Sequence, residues 1–365
     1  MRIGILGGGQ LGRMLAIAGY PLGMKFTFLD PSADAPMAPL ARGIVADYND
    51  PAALEELASS SDVVTWEFEN VGFAAVDLLT KRTQLFPPAS ALNVKHDRLF
   101  EKQFFDQLKI PTARYANATT RSEFDSAMAT IGFPLVVKSR KFGYDGKGQA
   151  VLRDPSHSGA VWDALKGAAV IVEELISFER EVSILSVRGR DGATAFYPIT
   201  ENLHKSGILR HSVAPAPNIS DSLRSEAQQY ANRILDHLQY AGVLAIEFFQ
   251  VNGRLLANEL APRVHNSGHW TIDGAATSQF ENHLRAIAGL PLGSTHARCA
   301  TGMVNIIGGF PNISKIISIP GTRLHLYGKA ARPGRKLGHV NICNFDGEPW
   351  TVFEQRMRDV ASMVE

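Results

Sequence analysis

The chain has 365 residues, 45% hydrophobic and 20% charged, with 37 basic and 36 acidic side chains and a net charge of +1. That is enough apolar residue for two or three packed domains, and the balanced charge excludes a global field drawing the protein to nucleic acid or to a membrane surface. Two cysteines, Cys299 and Cys343, are too few for a disulfide scaffold, and their spacing does not suggest zinc.

Short apolar runs alternate with helical stretches over the first ninety residues. "RIGILG", "KFTFLD", "GIVAD" and "DVVTWEF" predict strands, while the segment after Gly9, "PAALEELASS" and "AAVDLLTKR" predict helices. This βαβ rhythm implies a parallel, doubly wound sheet. The opening apolar run is broken by glycines within seven residues, which is not the pattern of a signal peptide. No segment approaches the roughly 18 apolar residues of a membrane span, and the sparse cysteines fit a reducing, cytoplasmic compartment. Gly7, Gly9 and Gly12 spell G-x-G-x-x-G, and Asp30 ends the next apolar run. Alone, that pair suggests a dinucleotide site with a ribose-binding carboxylate.

A boundary is expected at "LFPPASALN", followed by one amphipathic helix over "VKHDRLFEKQFFDQLKI" that Pro111 stops. Hairpin-rich segments follow, then a helix over "DSLRSEAQQYANRILDHL". "AGVLAIEFFQVNGRLLANELAPR" predicts two strands joined at Asn252-Gly253, a strong hairpin signal. "GMVNIIG", "TRLHLYG" and "GHVNIC" predict a small β-rich unit at the end.

Four stretches carry candidate chemistry. In "PLVVKSRKFGYDGKGQAVL" a strand ends at Lys138, and a loop of Gly143, Tyr144, Asp145, Gly146, Lys147, Gly148 and Gln149 follows. Such a loop lets backbone N–H groups approach phosphates, or it is a solvated turn without P-loop spacing. In "VIVEELISFEREVSIL", Glu173, Glu174 and Glu181 flank Leu175 and Ile176. These are either wet strand ends or an adenine hinge with a ribose-binding carboxylate.

Glu247 and Glu259 lie on the two strands of the Asn-Gly hairpin, opposite or diagonal to each other, with Asn258 alongside. Two half-buried carboxylates repel unless protonated or bridged by a cation, and an all-oxygen set suits Mg²⁺ with nucleotide phosphate. Arg263 and His265, Asn266, Ser267, Gly268 and His269 come next, a polar run able to stabilise an anion. Last, "YGKAARPGRKLGHVN" gathers Lys329, Arg332, Arg335, Lys336 and His339 among glycines, either a phosphate cup or a solvated loop.

"TWEFENV", "FGYDGKGQ", "EELISFEREVS", "NELAPRVHNSGHWT" and "RPGRKLGHVN", in this order, resemble the ATP-grasp superfamily and, within it, the N5-carboxyaminoimidazole ribonucleotide synthetase family. The resemblance implies an α/β ATP-grasp architecture. Its parts would be an N-terminal Rossmann-like domain over 1–95, an ATP-grasp domain over 96–297 with a mobile lid near 112–177, and a C-terminal β-rich domain over 298–365.

It also implies a ligase of purine biosynthesis that uses ATP and bicarbonate to carboxylate 5-aminoimidazole ribonucleotide through carboxyphosphate. A related purine enzyme, the formate-dependent glycinamide ribonucleotide transformylase, is the alternative. The implied nucleotide contacts are Arg98, Lys138, the loop 143–149, Glu173, Glu174, Leu175, Ile176, Glu181, His204, Asn258 and Glu259. Two Mg²⁺ ions, replaceable by Mn²⁺, would sit on Glu247 and Glu259.

Arg263, His265, Asn266, Tyr144 and Asp145 would serve the reaction. Gln10, Leu11, Glu67, Asn70, Lys329, Arg332 and Lys336 would hold the ribonucleotide, with Tyr144 and Asp145. A homodimer is implied. Under this reading the opening glycines face the ribonucleotide, and Asp30 becomes a loop or capping residue.

Overall fold

The computed structural model describes residues 1–141 and 148–364. Strands β1 (Arg2–Leu6), β2 (Lys25–Asp30), β3 (Arg42–Val45), β4 (Val63–Trp66) and β5 (Gln84–Leu85) form a parallel sheet in the order β3-β2-β1-β4-β5. Helices α1 (Gln10–Gly19), α2 (Pro51–Ser59) and α3 (Phe73–Arg82) cover it. Alternate strand side chains feed two cores. Ile3, Ile5 and Phe28 pack with Leu11 and Leu15 of α1. Leu6, Leu29 and Trp66 pack with Leu57 of α2 and Leu79 of α3. Burial on both faces is why these strands are continuously apolar.

The single helix expected over 94–110 is two helices, α4 (Ala89–Lys95) and α5 (Arg98–Gln107). Asp97 interrupts them because its carboxylate accepts the Leu99 N–H at 2.9 Å and caps the second helix. Next comes an antiparallel sheet in the order β6-β9-β7-β8. It comprises β6 (Tyr115–Ala118), β7 (Leu135–Ser139), β8 (Gln149–Leu152) and β9 (Val170–Glu174), with α6 (Arg121–Ile131) and α7 (Ser158–Ala164). Phe124 and Met128 of α6 pack on its Leu135, Val137 and Val172.

The largest sheet runs β15-β14-β10-β12-β13-β16-β18-β17, with β11 beside β10. Its strands are β10 (Arg180–Arg188), β11 (Thr194–Phe196), β12 (Thr200–Lys205), β13 (Ile208–Ala214), β14 (Gly242–Val251), β15 (Arg254–Ala261), β16 (Thr301–Ile307), β17 (Thr322–Leu326) and β18 (Lys336–Cys343). Helix α8 (Asp221–His237) buries Leu223, Ile234 and Leu235 against it, beside Phe104 and Phe105 of α5. The remaining helices are α9 (Thr271–Gly274), α10 (Gln279–Ala288), α11 (Ile313–Ile317) and α12 (Trp350–Val364). Helix α10 joins the first core through Phe280 and Leu284. Helix α12 packs Phe353 and Val360 on Val304 and Ile342.

The strands after residue 297 do not close a sheet of their own. Residues His211–Ala214 of β13 pair with Thr301–Val304 of β16, so the C-terminal strands extend the central sheet. The backbone groups along one side of β13 thereby gain partners that would otherwise have to be water.

Candidate functional site

The glycine turn after β1 holds anions from within the chain. The Glu67 carboxylate, just past β4, accepts the Gly9 N–H and the Gly12 N–H, the latter at 2.8 Å. The Asp30 carboxylate accepts the Gly8 N–H at 2.8 Å, the Tyr48 hydroxyl at 2.9 Å and the Ser32 N–H at 2.8 Å. A Cβ at Gly9 would overlap the Glu67 carboxylate, so the glycine makes room for a side chain, not for a pyrophosphate. Burial raises the Glu67 pKa, against the pull of the Gly12 and Gly9 N–H groups. Asp30 ends β2 and braces the turn, a larger role than the capping one expected for it.

A cleft of about 1180 Å³ opens between the three sheets. It is lined by Gln10 and Leu11 at the start of α1, Glu67 and Asn70 in the loop after β4, Lys138 and Gln149 from β7 and β8, and Glu173, Glu174, Leu175 and Ile176 at the end of β9. Arg98, Glu181, His204, Glu247, Asn258, Glu259, Arg263, His265, Asn266 and Lys336 line it as well. Lys329 and Arg332 do not line it. Arg332 is exposed, and the Lys329 ammonium donates to the Gln10 side chain, so it stands one residue behind the wall. Burial pulls the Lys329 pKa down to about 8. Gly143, Tyr144, Asp145, Gly146 and Lys147 lie outside the described residues.

Glu173 is not a wet strand end. It is buried, with Lys138 at 3.0 Å and Lys102 at 3.3 Å from the same oxygen. Burial alone would raise its pKa, but the two ammonium groups outweigh it and hold the carboxyl at about 2. Its other oxygen is buried without a partner among the described residues, an acceptor left for something in the cleft. His204 pairs with Glu181 through Nδ1. Burial works against its charge, yet Glu181 and Glu247 leave its pKa above 6.5.

The hairpin of β14 and β15 turns at Asn252 (φ 50°) and Gly253 (φ 71°), both left-handed as a tight type I′ turn requires. Its register places Glu247 directly opposite Glu259. The next pair is Phe248 with Ala257, so Asn258 is the extra residue of a β-bulge. Burial, with Glu259 adding to it, pushes Glu247 up to about 7. Burial also acts on Glu259, but Lys95 at 3.1 Å and Arg98 at 3.7 Å hold it ionised, well below the usual range. Two opposed carboxylates with an amide oxygen alongside form an all-oxygen set. Among the described residues no group of three or more His, Cys, Asp or Glu could hold a metal ion. Two carboxylates and an amide oxygen suit a cation that brings other oxygens, as Mg²⁺ does with nucleotide phosphate and water.

Arg263 forms a two-pronged pair with Glu69, at 2.5 Å and 3.1 Å. His265 lies 3.8 Å from Glu247 and bonds Ser267 through Nδ1 at 2.9 Å. Burial and then the nearby Arg263 push its pKa down to about 3, so the imidazole is neutral at physiological pH. Both amide atoms of Asn266 are buried without partners among the described residues.

Four residues here escaped the sequence reading: Glu69, Lys95, Glu101 and Lys102. Lys95, Glu101 and Lys102 fall in a charged amphipathic stretch, where charge ordinarily marks the wet face; Glu69 sat inside "TWEFENV" without a partner to identify it.

Family profiles match the chain in three pieces: "Ribonucleotide synthetase preATP-grasp domain" over residues 1–96, "ATP-grasp domain" over 103–280, and "Phosphoribosylaminoimidazole carboxylase C-terminal domain" over 301–349. The chain is 48% identical to the N5-carboxyaminoimidazole ribonucleotide synthase of Pseudomonas aeruginosa over 365 residues, 100% of both chains. It is similar to the crystal structure of N5-carboxyaminoimidazole ribonucleotide synthetase from Thermus thermophilus, with a TM-score of 0.94, 48% identity, and 100% and 98% of the two chains covered. It is also similar to the Aspergillus clavatus synthase in complex with ADP and 5-aminoimidazole ribonucleotide, with a TM-score of 0.91, 30% identity, and 99% and 98% covered.

Proposed function

Since the chain belongs to the N5-carboxyaminoimidazole ribonucleotide synthase family of ATP-grasp ligases, we propose that its cleft brings ATP, bicarbonate and 5-aminoimidazole ribonucleotide together in the roles set out below. The protein is an ATP-using ligase of purine biosynthesis. In the proposed arrangement the backbone at Leu175 and Ile176, with Glu173 and Glu174, reads adenine. Glu181 takes the ribose hydroxyls, and Lys138, Arg98 and His204 meet the phosphates. The segment 143–149 would cover them.

The observation that carries this arrangement is the direct pairing of Glu247 with Glu259 beside the bulged Asn258. These three would hold Mg²⁺ ions, two in number and replaceable by Mn²⁺, which screen the triphosphate charge and orient the γ-phosphoryl.

A bicarbonate oxygen attacks the γ-phosphorus, the bond to ADP breaks, and carboxyphosphate forms. The exocyclic amine of the ribonucleotide then bonds to the carboxyl carbon, phosphate leaves, and the amine gives up a proton. Arg263 exchanges its Glu69 partner for the carboxyphosphate anion, and the free Asn266 amide supplies hydrogen bonds beside it. Neutral His265 orients a substrate oxygen and carries no charge. Gln10, Leu11, Glu67 and Asn70 would meet the aminoimidazole and ribose, with Tyr144 and Asp145 as further contacts; Lys336 would meet its phosphate, and Lys329, released from Gln10, and the exposed Arg332 would turn in to join it. No helix among the described residues is long and apolar enough to cross a membrane, and a cytoplasmic homodimer is the proposed working form.

The test is ADP release, which should require bicarbonate and 5-aminoimidazole ribonucleotide together. Oxygen-18 bicarbonate should deliver one labelled oxygen to the phosphate released. Unlabelled phosphate would overturn the carboxyphosphate route, and turnover with glycinamide ribonucleotide and formate would overturn the substrate.

A further inference from the structure

Glu101 and Lys102 have no part in the chemistry above, yet they are 1% and 2% exposed. Adjacent charges are buried only where partners compensate them. Both reach from α5 to β15, an edge strand of the central sheet with β14 on its other side. An edge strand carries backbone groups without ladder partners. The Glu101 carboxylate accepts the Leu260 N–H at 2.7 Å and pairs with Lys95 at 3.1 Å. The Lys102 ammonium donates to the Asn258 carbonyl at 3.3 Å and to the Thr112 hydroxyl at 2.7 Å. Thr112 in turn donates to the Ala257 carbonyl at 2.8 Å.

Glu259 is the residue between the two gripped peptides. This is also where the bulge removes the regular ladder that would otherwise fix the strand. The same Lys102 ammonium lies 3.3 Å from Glu173, at the end of β9. One buried cation thus links the strand of the carboxylate pair to the hinge strand across the cleft.

We propose that Glu101 and Lys102 are positioning residues that clamp β15 around Glu259 and fix its distance from the hinge at Glu173. The adenine end and the phosphate end of the nucleotide then meet one rigid frame. This rests on the nucleotide and metal reading above.

The test measures Mn²⁺ binding in the presence of ADP by electron paramagnetic resonance, KM for ATP and for the ribonucleotide, and thermal unfolding, on the full chain. Lys102→Met should weaken Mn²⁺ binding and raise the ATP KM by about tenfold. The ribonucleotide KM should stay within about twofold. Lys102→Arg should recover part of both losses. A folded Lys102→Met protein with normal Mn²⁺ binding and ATP KM overturns the clamp, and so does an equal rise in both KM values. If Lys102→Met fails to fold, Thr112→Val removes the hydroxyl beneath the ammonium and should show the same selective loss at about threefold. Normal ATP KM in that variant overturns the clamp equally. Glu259→Gln separates the two readings. If it binds Mn²⁺ and ADP as the wild type does, the metal reading fails. If it loses them while Lys102→Met does not, only the clamp fails.

Discussion

The glycine turn after β1 and the β14–β15 hairpin each gather two carboxylates and treat them in opposite ways. Asp30 and Glu67 are met by backbone N–H groups of Gly8, Gly9 and Gly12, so the turn completes itself. Glu247 and Glu259 face each other, and Lys95 and Arg98 pair with Glu259. One site meets its carboxylates from within the chain, so Glu67 stands at the cleft as a braced group. At the other, Lys95 and Arg98 hold Glu259 while burial and Glu259 push Glu247 up to about 7, and a bound cation would favour the ionised form of both.

The sharpest way to break this contrast is Glu259→Gln. One oxygen survives but a charge is lost, so turnover should fall by about a thousandfold with thermal unfolding nearly unchanged. Near-normal ADP release would return Glu259 to the fold. Glu67→Ala, unlike Glu259→Gln, should cost stability. It leaves two N–H groups of the turn without their acceptor, a loss of about 1–3 kcal/mol read from urea unfolding. Unchanged stability would mean that the turn does not need its internal anion.

Lys329→Ala tests the wall between the two regions. The KM for the ribonucleotide should rise about tenfold while that for ATP holds. Equal effects on both would move Lys329 out of the substrate site.

The smallest effect concerns pH. Glu247 keeps its proton up to about 7 in the folded protein, against 4.5 for an ordinary glutamate. Between those values the folded state binds more protons than the unfolded one. This group's contribution is therefore full below 4.5 and is lost as pH rises toward 7. Glu247→Gln should flatten that decline by about 1 kcal/mol per pH unit in metal-free urea titrations, and identical slopes would remove the strain from the pair.

Much of the hairpin was legible because its information is local. Asn252-Gly253 dictates the turn, and the turn dictates which residues of the two strands meet. Opposite and diagonal pairing could not be separated, because the bulge at Asn258 shifts the register by one residue. The glycine spacing announced a strand-to-helix turn with exposed N–H groups. It could not say which anion they hold, since Glu67 arrives from more than fifty residues away. Lys95, Glu101 and Lys102 were invisible for a different reason. Charge on an amphipathic helix signals solvent unless a partner of opposite sign is known to lie above it, and their partners lie on β15 and β9.

The sequence by itself determined the strand-and-helix rhythm, the tight turns and the family, because these follow from periodicity, backbone preference and motifs contiguous in the chain. Only the tertiary structure decided that the C-terminal strands extend the central sheet, that the glycine turn is filled by Glu67, and that buried charges on α5 grip the strand carrying Glu259. Each of these depends on groups far apart in sequence, and their partners are chosen by packing and by the need to satisfy buried polar atoms.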